Sequence, residues 1–373
     1  MGLAPYGDPN ATVPGTSQSY YEIFSSIVSN TGPLSFEVNQ KWMAYYEVRD
    51  KWISDHFIGI FGEKRKYDEP IEDRHRNIAA ALQLRLEDIV LKQLRYCRTK
   101  FGLPKIGIAG GVGLNCSLNG KILSSKLFDE VFVQPASGDS GIAVGACYLA
   151  HRSRVSDYAP QKMHDFYCGY RAETEQIRQA IEASNSQGTV PDDLYESTVD
   201  LLMEGKIIAW YQGPAEFGPR ALGNRSILCR PFPQEMRDHI NNNVKFREEF
   251  RPFAPSILAE FVSEYFQIDQ ESPHMLMAVE VKPEKKNIIP AVVHIDNSCR
   301  VQTVSAKNNK RFRQLLEVFY ARSGIPVLLN TSFNVKGQPI VNTPKQAIEC
   351  FESTNIECLV IGDYLLDKAN RLS

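Results

Sequence analysis

Between Lys105 and His151 the chain alternates strand, glycine turn, helix, strand, turn and helix, and this rhythm constrains the fold more than any other feature. Lys105-Ile-Gly-Ile-Ala is a short apolar run that enters Gly110-Gly111, after which the spacing predicts a helix from near Asn115. Phe128-Asp-Glu-Val-Phe-Val-Gln reads as a second strand, Pro135-Ala-Ser-Gly-Asp139-Ser-Gly141 as a turn, and 142–151 as a helix of small residues. Short apolar runs punctuated by Gly and Pro, each followed by a helix-length segment, describe an α/β fold. Upstream, Ile78, Leu82, Leu86 and Ile89 recur at helical spacing and predict a helix over 71–100. Residues 1–70 show no such period, being rich in Gly, Pro and Asn at first and in aromatic residues thereafter.

Charge, Pro and Gln interrupt the apolar pattern between Ser153 and Asp165, which divides the chain into domains of 1–160 and 161–373. A second α/β unit is expected beyond it. Its strands are read at 206–211, 275–281, 292–295 and 325–330, with 358–362 closing the sheet. Phe312, Leu315, Leu316 and Phe319 give one helix an apolar face that Gly324 can cap, and Thr343-Pro344 reads as the N-cap and first residue of another.

The 373 residues carry a formal net charge of −2, which argues against a generic nucleic-acid binder. No apolar run approaches the length of a membrane span, and Met1-Gly-Leu-Ala-Pro-Tyr has no features of a secretory signal. The eight cysteines are scattered without a CxxC pair and read as free, mostly buried thiols of a cytoplasmic protein.

Against that acidic background, Glu216-Phe-Gly-Pro-Arg220-Ala-Leu-Gly-Asn-Arg225-Ser226 and Lys245-Phe-Arg247-Glu-Glu-Phe-Arg251-Pro-Phe crowd five cations beside rigid Gly and Pro turns. Local positive charge without a global excess suits a pocket for a small anion, and the Arg fork matches phosphate or carboxylate oxygens in pairs. Gly110, Gly111 and Asn115, with Gly138 and Asp139, sit at strand ends where backbone can approach a phosphate and Asp139 can hold a metal; they also read as plain glycine turns with Asp139 as an N-cap. His294, Asp296, Arg300 and Gln302 differ by even numbers, so on a strand they share one face, lining either a cavity or solvent. Asn330, Ser332 and Asn334 after an apolar strand can bind a carbonyl, an adenine edge or a phosphate, or can simply close a turn. No Ser-His-Asp order, HExxH or Walker A motif is present, so no covalent nucleophile is suggested.

These motifs resemble the O-carbamoyltransferases of antibiotic and nodulation-factor pathways (the NodU/CmcH family). The resemblance is carried by Met1-Gly-Leu-Ala-Pro-Tyr-Gly, Gly110-Gly-Val-Gly-Leu-Asn-Cys, Gln134-Pro-Ala-Ser-Gly-Asp-Ser-Gly, the stretch from Glu216, Phe250-Arg-Pro-Phe-Ala-Pro and Asn330-Thr-Ser-Phe-Asn-Val-Lys-Gly. It implies the C-terminal half of an actin/sugar-kinase-like (Kae1-like) domain followed by a YrdC-like α/β domain. It also implies ATP and carbamoyl phosphate as co-substrates, a carbamoyl-adenylate intermediate, a divalent metal (Fe or Mg) and a small-molecule hydroxyl acceptor. By the same resemblance Arg220, Lys245, Arg251 and Arg300 are catalytic. Arg225, His294, Asn330, Ser332 and Asn334 are read as binding substrate, Gly110, Gly111, Asn115 and Gly138 as holding nucleotide, and Asp139 as a metal ligand. In the family the Met-Gly-Leu-Ala-Pro-Tyr-Gly motif lies well inside the chain. The first phosphate loop and the two-histidine metal motif are therefore expected outside this sequence, for instance on a second polypeptide supplying the N-terminal half. His56 and His75 are too far apart to replace that motif on one helical turn. Other readings are an inactive or adenylating-only subunit and a tRNA threonylcarbamoyl-type modification protein; the charge balance disfavours nucleic acid as a partner.

Overall fold

The computed structural model describes residues 1–370 except Tyr67, Ser156, Tyr158 and 160–165. By contacts the chain divides into one unit of residues 1–106 with 117–132 and a second of 107–116 with 133–373, so the compact units are not continuous in sequence.

The first unit gives the unreadable N-terminal segment a simple rationale. Helix α1 (Tyr20–Ile27) begins with a capping box between Ser19 and Glu22 and leads into a hairpin of β1 (Val28–Asn30) and β2 (Phe36–Val38). Helix α2 (Asp55–Phe61) follows, and then the long α3 (Asp73–Phe101), which ends on left-handed Gly102. Tyr20, Phe24, Trp42, Phe57 and Phe61 stack on one another, so the aromatic richness of 1–70 is the core of this unit. Strand β3 (Lys105–Ile108), α4 (Cys116–Ser124) and β4 (Glu130–Val133) come next, with β3 and β4 forming a two-stranded sheet. Helix α5 (Ser140–Arg154) belongs to the second unit and has no buried residue; Ile142 and Leu149 are 67% and 70% exposed. Cys147, on this helix, is exposed rather than buried, whereas Cys229, Cys299, Cys350 and Cys358 are the buried thiols.

The second unit is built on an eight-stranded sheet. In chain order its elements are α6 (Thr174–Glu182), β5 (Gly188–Thr189), α7 (Leu194–Glu204), β6 (Ile208–Tyr211), β7 (Arg225–Cys229), α8 (Met236–Ile240) and β8 (Ala254–Leu258). They continue as α9 (Val262–Tyr265), β9 (Ala278–Glu280), β10 (Ser298–Arg300), β11 (Gln302–Val304), α10 (Lys310–Ser323), β12 (Val327–Ser332), α11 (Pro344–Glu352), β13 (Cys358–Ile361) and β14 (Tyr364–Asp367). The sheet order is β11-β8-β12-β7-β6-β13-β14-β5, with β9 and β10 paired apart from it. The pairs β11–β8 and β13–β6 are parallel and the others antiparallel. Trp210, Leu228, Leu316, Phe319, Leu328 and Val360 share the core beneath α7 and α10. Gly324 caps α10 in the left-handed region, and Thr343-Pro344 starts α11 with a capping box.

Three expectations need correction. The segment 292–295 is not a strand, because Pro290 opens a single 3-10 turn over Pro290–Val292 and Asn297 takes a left-handed φ of 64°. His294 and Asp296 therefore lie in a turn, Arg300 ends β10 and Gln302 starts β11, so the four do not share one strand face. Strand β13 does not close the sheet, since β14 and β5 continue beyond it. The sequence reading also stopped at the turns of the two cationic stretches, whereas each runs straight into a buried central strand, β7 and β8.

Candidate functional site

Arg220 and Lys245 each stand beside a backbone irregularity ahead of a buried strand. Residues 216–224 form a loop before β7. In it Gly223 takes a φ of 103°, and a Cβ there would lie 2.2 Å from the ring of Phe312. No other residue fits that backbone and that close approach. Arg220 stands on this loop. Lys245 ends a π-helical turn, Asn241–Lys245, and Phe246 after it is left-handed at φ 45°. Both features are costly for a bulky residue and gather at functional positions. Arg247 and Arg251 follow before β8, and Arg300 closes β10.

The electrostatics show these groups acting on one another. Burial and the charge of Arg300 push Arg220 down to about 10. Burial, Arg251 and Arg300 push Arg247 down to about 10, against an opposing pull from the Glu248 carboxylate. Burial and Arg247 push the Lys245 ammonium down to about 7. Glu248 is the nearby acid; it pairs with Arg251 at 3.1 Å and reaches Lys336 at 4.0 Å. Among the described residues Arg220, Lys245, Arg247 and Arg300 make no ion pair with a carboxylate, and the Nε atoms of Arg220 and Arg300 are buried without a hydrogen-bond partner. Convergent, partly dehydrated and unneutralised cations are a standing demand for an anion.

Oxygen acceptors hold some of them in place. Lys245 Nζ donates to Ser332 O at 2.5 Å, and to Asn334 O and Asn334 Oδ1 at 2.9 Å each. Ser332 Oγ donates to Asn334 Oδ1 at 2.6 Å. Arg247 lies 4.5 Å over the ring of Phe253. His294 faces Asp296 Oδ1 at 3.2 Å and the Phe250 carbonyl at 3.3 Å, which ties it to the residue before Arg251. For Asp296 burial raises its pKa, but hydrogen bonds from His294 and Ser298 prevail and bring it to about 2.

Asn330 and Arg225 lie deeper. Asn330 is fully buried in β12; its Nδ2 donates to Ser256 Oγ at 2.9 Å and Gln302 Oε1 at 3.1 Å, and its Oδ1 has no partner. Arg225 is also fully buried, 3.7 Å over the Tyr211 ring, with its terminal nitrogens donating to the carbonyls of Gln212, Gly213, Asn224, Tyr170 and Asn342. Any ligand oxygen reaching Arg225 has to displace one of those carbonyls.

The glycine loops form a second cluster. Gly110 N donates to Ser137 O at 2.8 Å, joining the loop of Gly111 and Asn115 to that of Gly138 and Asp139. Gly110 takes a φ of 95°, and nothing lies within 4 Å of a Cβ built at Gly110 or Gly111, so this backbone is open to approach. The loops adjoin the cationic stretch: a Cβ on Gly218 would come 2.9 Å from the Pro135 carbonyl, and Cys116 lies within electrostatic range of Arg220. Asp139 is exposed at the start of α5 and caps no backbone N–H. Among the described residues no group of three His, Cys, Asp or Glu side chains can hold a metal. Among the described residues Asp139 therefore has no companions that would complete a metal site.

Sequence reasoning missed Glu216 and Tyr167, which hold the loop of Arg220, and gave Gln302 no part in holding it. Glu216 Oε1 accepts from the backbone N–H groups of Leu222, Asn224 and Arg225 at 2.7, 2.8 and 3.1 Å. Gln302 Nε2 and Tyr167 Oη both donate to Leu222 O at 2.8 Å. An acidic residue opening a glycine-rich cationic loop was the available signal for Glu216.

Comparison with known proteins follows this geometry. Residues 1–148 match the family model described as Carbamoyltransferase N-terminus, and residues 199–368 that described as Carbamoyltransferase C-terminus. The chain is 39% identical over 376 aligned positions to Nodulation protein NolO of Bradyrhizobium diazoefficiens, covering 99% of this chain and 65% of that one. It is 35% identical over 293 positions to a 3'-hydroxymethylcephem-O-carbamoyltransferase of Streptomyces clavuligerus, covering 79% and 54%. The chain thus spans less than two thirds of the length of these curated relatives. A crystal structure of HypF from T. kodakarensis aligns with 46% of this chain and 21% of that one, at 17% identity and a TM-score of 0.34, too low to carry an argument. No helix among the described residues is long and apolar enough to cross a membrane.

Proposed function

Because the chain belongs to the carbamoyltransferase family, whose N-terminal and C-terminal models match it in order, we propose that its residues 161–373 form carbamoyl-adenylate for transfer to a small-molecule hydroxyl. The observation that carries this reading is the set of Arg220, Lys245, Arg247 and Arg300, which act on one another and, among the described residues, form no ion pair with a carboxylate; Glu248, the acid that acts on Arg247, is paired with Arg251. Carbamoyl phosphate and the phosphates of ATP supply the missing negative charge. In balance, carbamoyl phosphate, ATP and water give carbamoyl-AMP, phosphate and pyrophosphate. Water first cleaves the bond between the carbamoyl group and its phosphate, releasing phosphate and leaving carbamate; a carbamate oxygen then bonds to the α-phosphorus as the bond to pyrophosphate breaks. Arg220 and Arg300 bind the dianionic phosphate, and Lys245 and Arg247 meet charge that shifts on the α-phosphate during adenylation. Donors already fixed by backbone and by Asn334 lose little order when the ligand arrives.

In this reading residues 161–373 correspond to a YrdC-like adenylating domain and 1–160 to part of a Kae1-like transfer domain, with Gly110, Gly111, Asn115 and Gly138 toward a nucleotide. The transfer step draws on further protein of the kind that makes up the remaining length of the relatives. The exposed apolar side chains of α5 support that reading.

The test is incubation with ATP and carbamoyl phosphate, following pyrophosphate release and carbamoyl-AMP by mass. Formation of both, dependent on carbamoyl phosphate, is expected. Folded protein that forms neither overturns the proposal. Transfer to a hydroxyl acceptor is expected to require added protein, while adenylation does not.

A further inference from the structure

We infer that Glu216 is a positioning residue for Arg220, clasping the base of its loop so that the guanidinium is presented to an anion in spite of the charge of Arg300. This rests on the reading of Arg220 as an anion-binding group. One carboxylate oxygen gathers three backbone N–H groups from positions six, eight and nine residues downstream. The loop 216–225 is thereby closed into a ring with Arg220 on its far side. Asn224 Nδ2 tightens the ring by donating to Pro214 O at 2.7 Å, and Gly223 N donates to Ser226 Oγ at 3.0 Å. From beneath, Gln302 and Tyr167 hold the Leu222 carbonyl.

The charge of Glu216 is placed with equal economy. It acts on buried Arg225, whose pKa burial lowers and Glu216 raises, and among the described residues it forms no ion pair with Arg220. The clasp therefore secures the loop without neutralising the cation it carries. A carboxylate anywhere nearer Arg220 would satisfy it in the absence of ligand and compete with the anion. Three charge-assisted hydrogen bonds on one oxygen also resist the splaying that two buried, mutually repelling guanidiniums would otherwise cause.

The experiment is a double-mutant cycle on carbamoyl phosphate binding, measured by calorimetry, with Glu216→Ala, Arg220→Ala and the pair. Glu216→Ala is expected to weaken binding about tenfold, as expected for a lost charge-assisted clasp, and to add nothing in the Arg220→Ala background. Glu216→Gln, which keeps an acceptor oxygen in place, is expected to restore affinity to within about threefold of wild type. It also serves as the informative variant if Glu216→Ala does not fold. A Glu216→Ala effect that persists undiminished without Arg220, or a Glu216→Gln protein as weak as Arg220→Ala, overturns the positioning role. Wild-type affinity in Arg220→Ala would instead overturn the underlying assignment of Arg220 as an anion-binding group, so the two failures are distinguishable.

Discussion

The cationic cluster and helix α5 lie in the same packing unit and follow opposite rules. The cluster keeps charged groups where burial disfavours them: Lys245 is 4% exposed, and Arg220 and Arg247 have their pKa values pulled down to about 10. Helix α5 keeps apolar groups where water disfavours them, with Ile142, Tyr148 and Leu149 on the surface. In the first region the chain supplies its own supports through Glu216, Gln302, Ser332 and Asn334. In the second, none of the helix's residues is buried. The difference teaches that the same packing unit can bury charge where its own backbone and side chains brace it, and can leave apolar groups in water where they do not.

The contrast can be broken most forcefully at Arg300. Arg300→Ala is expected to lower carbamoyl-AMP formation by about 100-fold or more, as when a preorganised donor to developing charge is removed. Pyrophosphate release read against an unchanged melting profile checks this, and a fall of less than threefold would separate Arg300 from the chemistry. Next in size is the core that holds the cluster. Leu316→Ala, at a fully buried position beneath the sheet, is expected to cost about 2–5 kcal/mol in denaturant unfolding. Gly223→Ala combines an unfavourable φ with a collision against Phe312, and is expected to cost about 2–3 kcal/mol and to impair anion binding as well.

A smaller and more diagnostic effect concerns pH. Because the folded protein holds Lys245 at about 7, below its ordinary 10.5, the unfolded chain binds more protons across that interval. Stability from this group therefore rises as pH rises from about 7 to 10.5. Anion capture runs the other way, since Lys245 loses its charge over the same range. The expected outcome is an alkaline fall in kcat/KM for carbamoyl phosphate with a midpoint near 7 that moves upward in Lys245→Arg. A midpoint that Lys245→Arg leaves in place would assign the titration to another group. The smallest effect is expected on α5: Ile142→Ser should change stability by less than about 0.5 kcal/mol, because the side chain is already in water. A cost above about 1 kcal/mol would show that the helix is covered in solution and would erase the contrast.

Local chemistry was legible in the sequence where one residue type dictates one geometry. Gly324 as a left-handed cap and Thr343-Pro344 as a helix start are read directly, and periodicity finds the helices of 71–100 and 310–323. Strands β7 and β8 were hidden because Pro, Arg and Ser interrupt their apolar runs, yet in the fold every residue of both is buried. The strand expected at 292–295 shows the converse: its apolar residues are real, but Pro290 and Asn297 bend the chain into a turn. The cations were visible by composition, but their partners were not. Arg225 looks like Arg220 in the sequence, and only the fold shows that it is engaged by five carbonyls and a ring while Arg220, among the described residues, makes no ion pair with a carboxylate and has a buried Nε without a hydrogen-bond partner.

Calorimetric titration of carbamoyl phosphate into wild-type protein and into Arg300→Ala tests the account most directly, because it asks whether the unneutralised cations bind one phosphorylated ligand. Saturable binding at one site per chain, weakening as salt rises and lost in Arg300→Ala, is the result predicted. Absence of saturable binding to the folded wild-type chain, or equal affinity in both proteins, would contradict it.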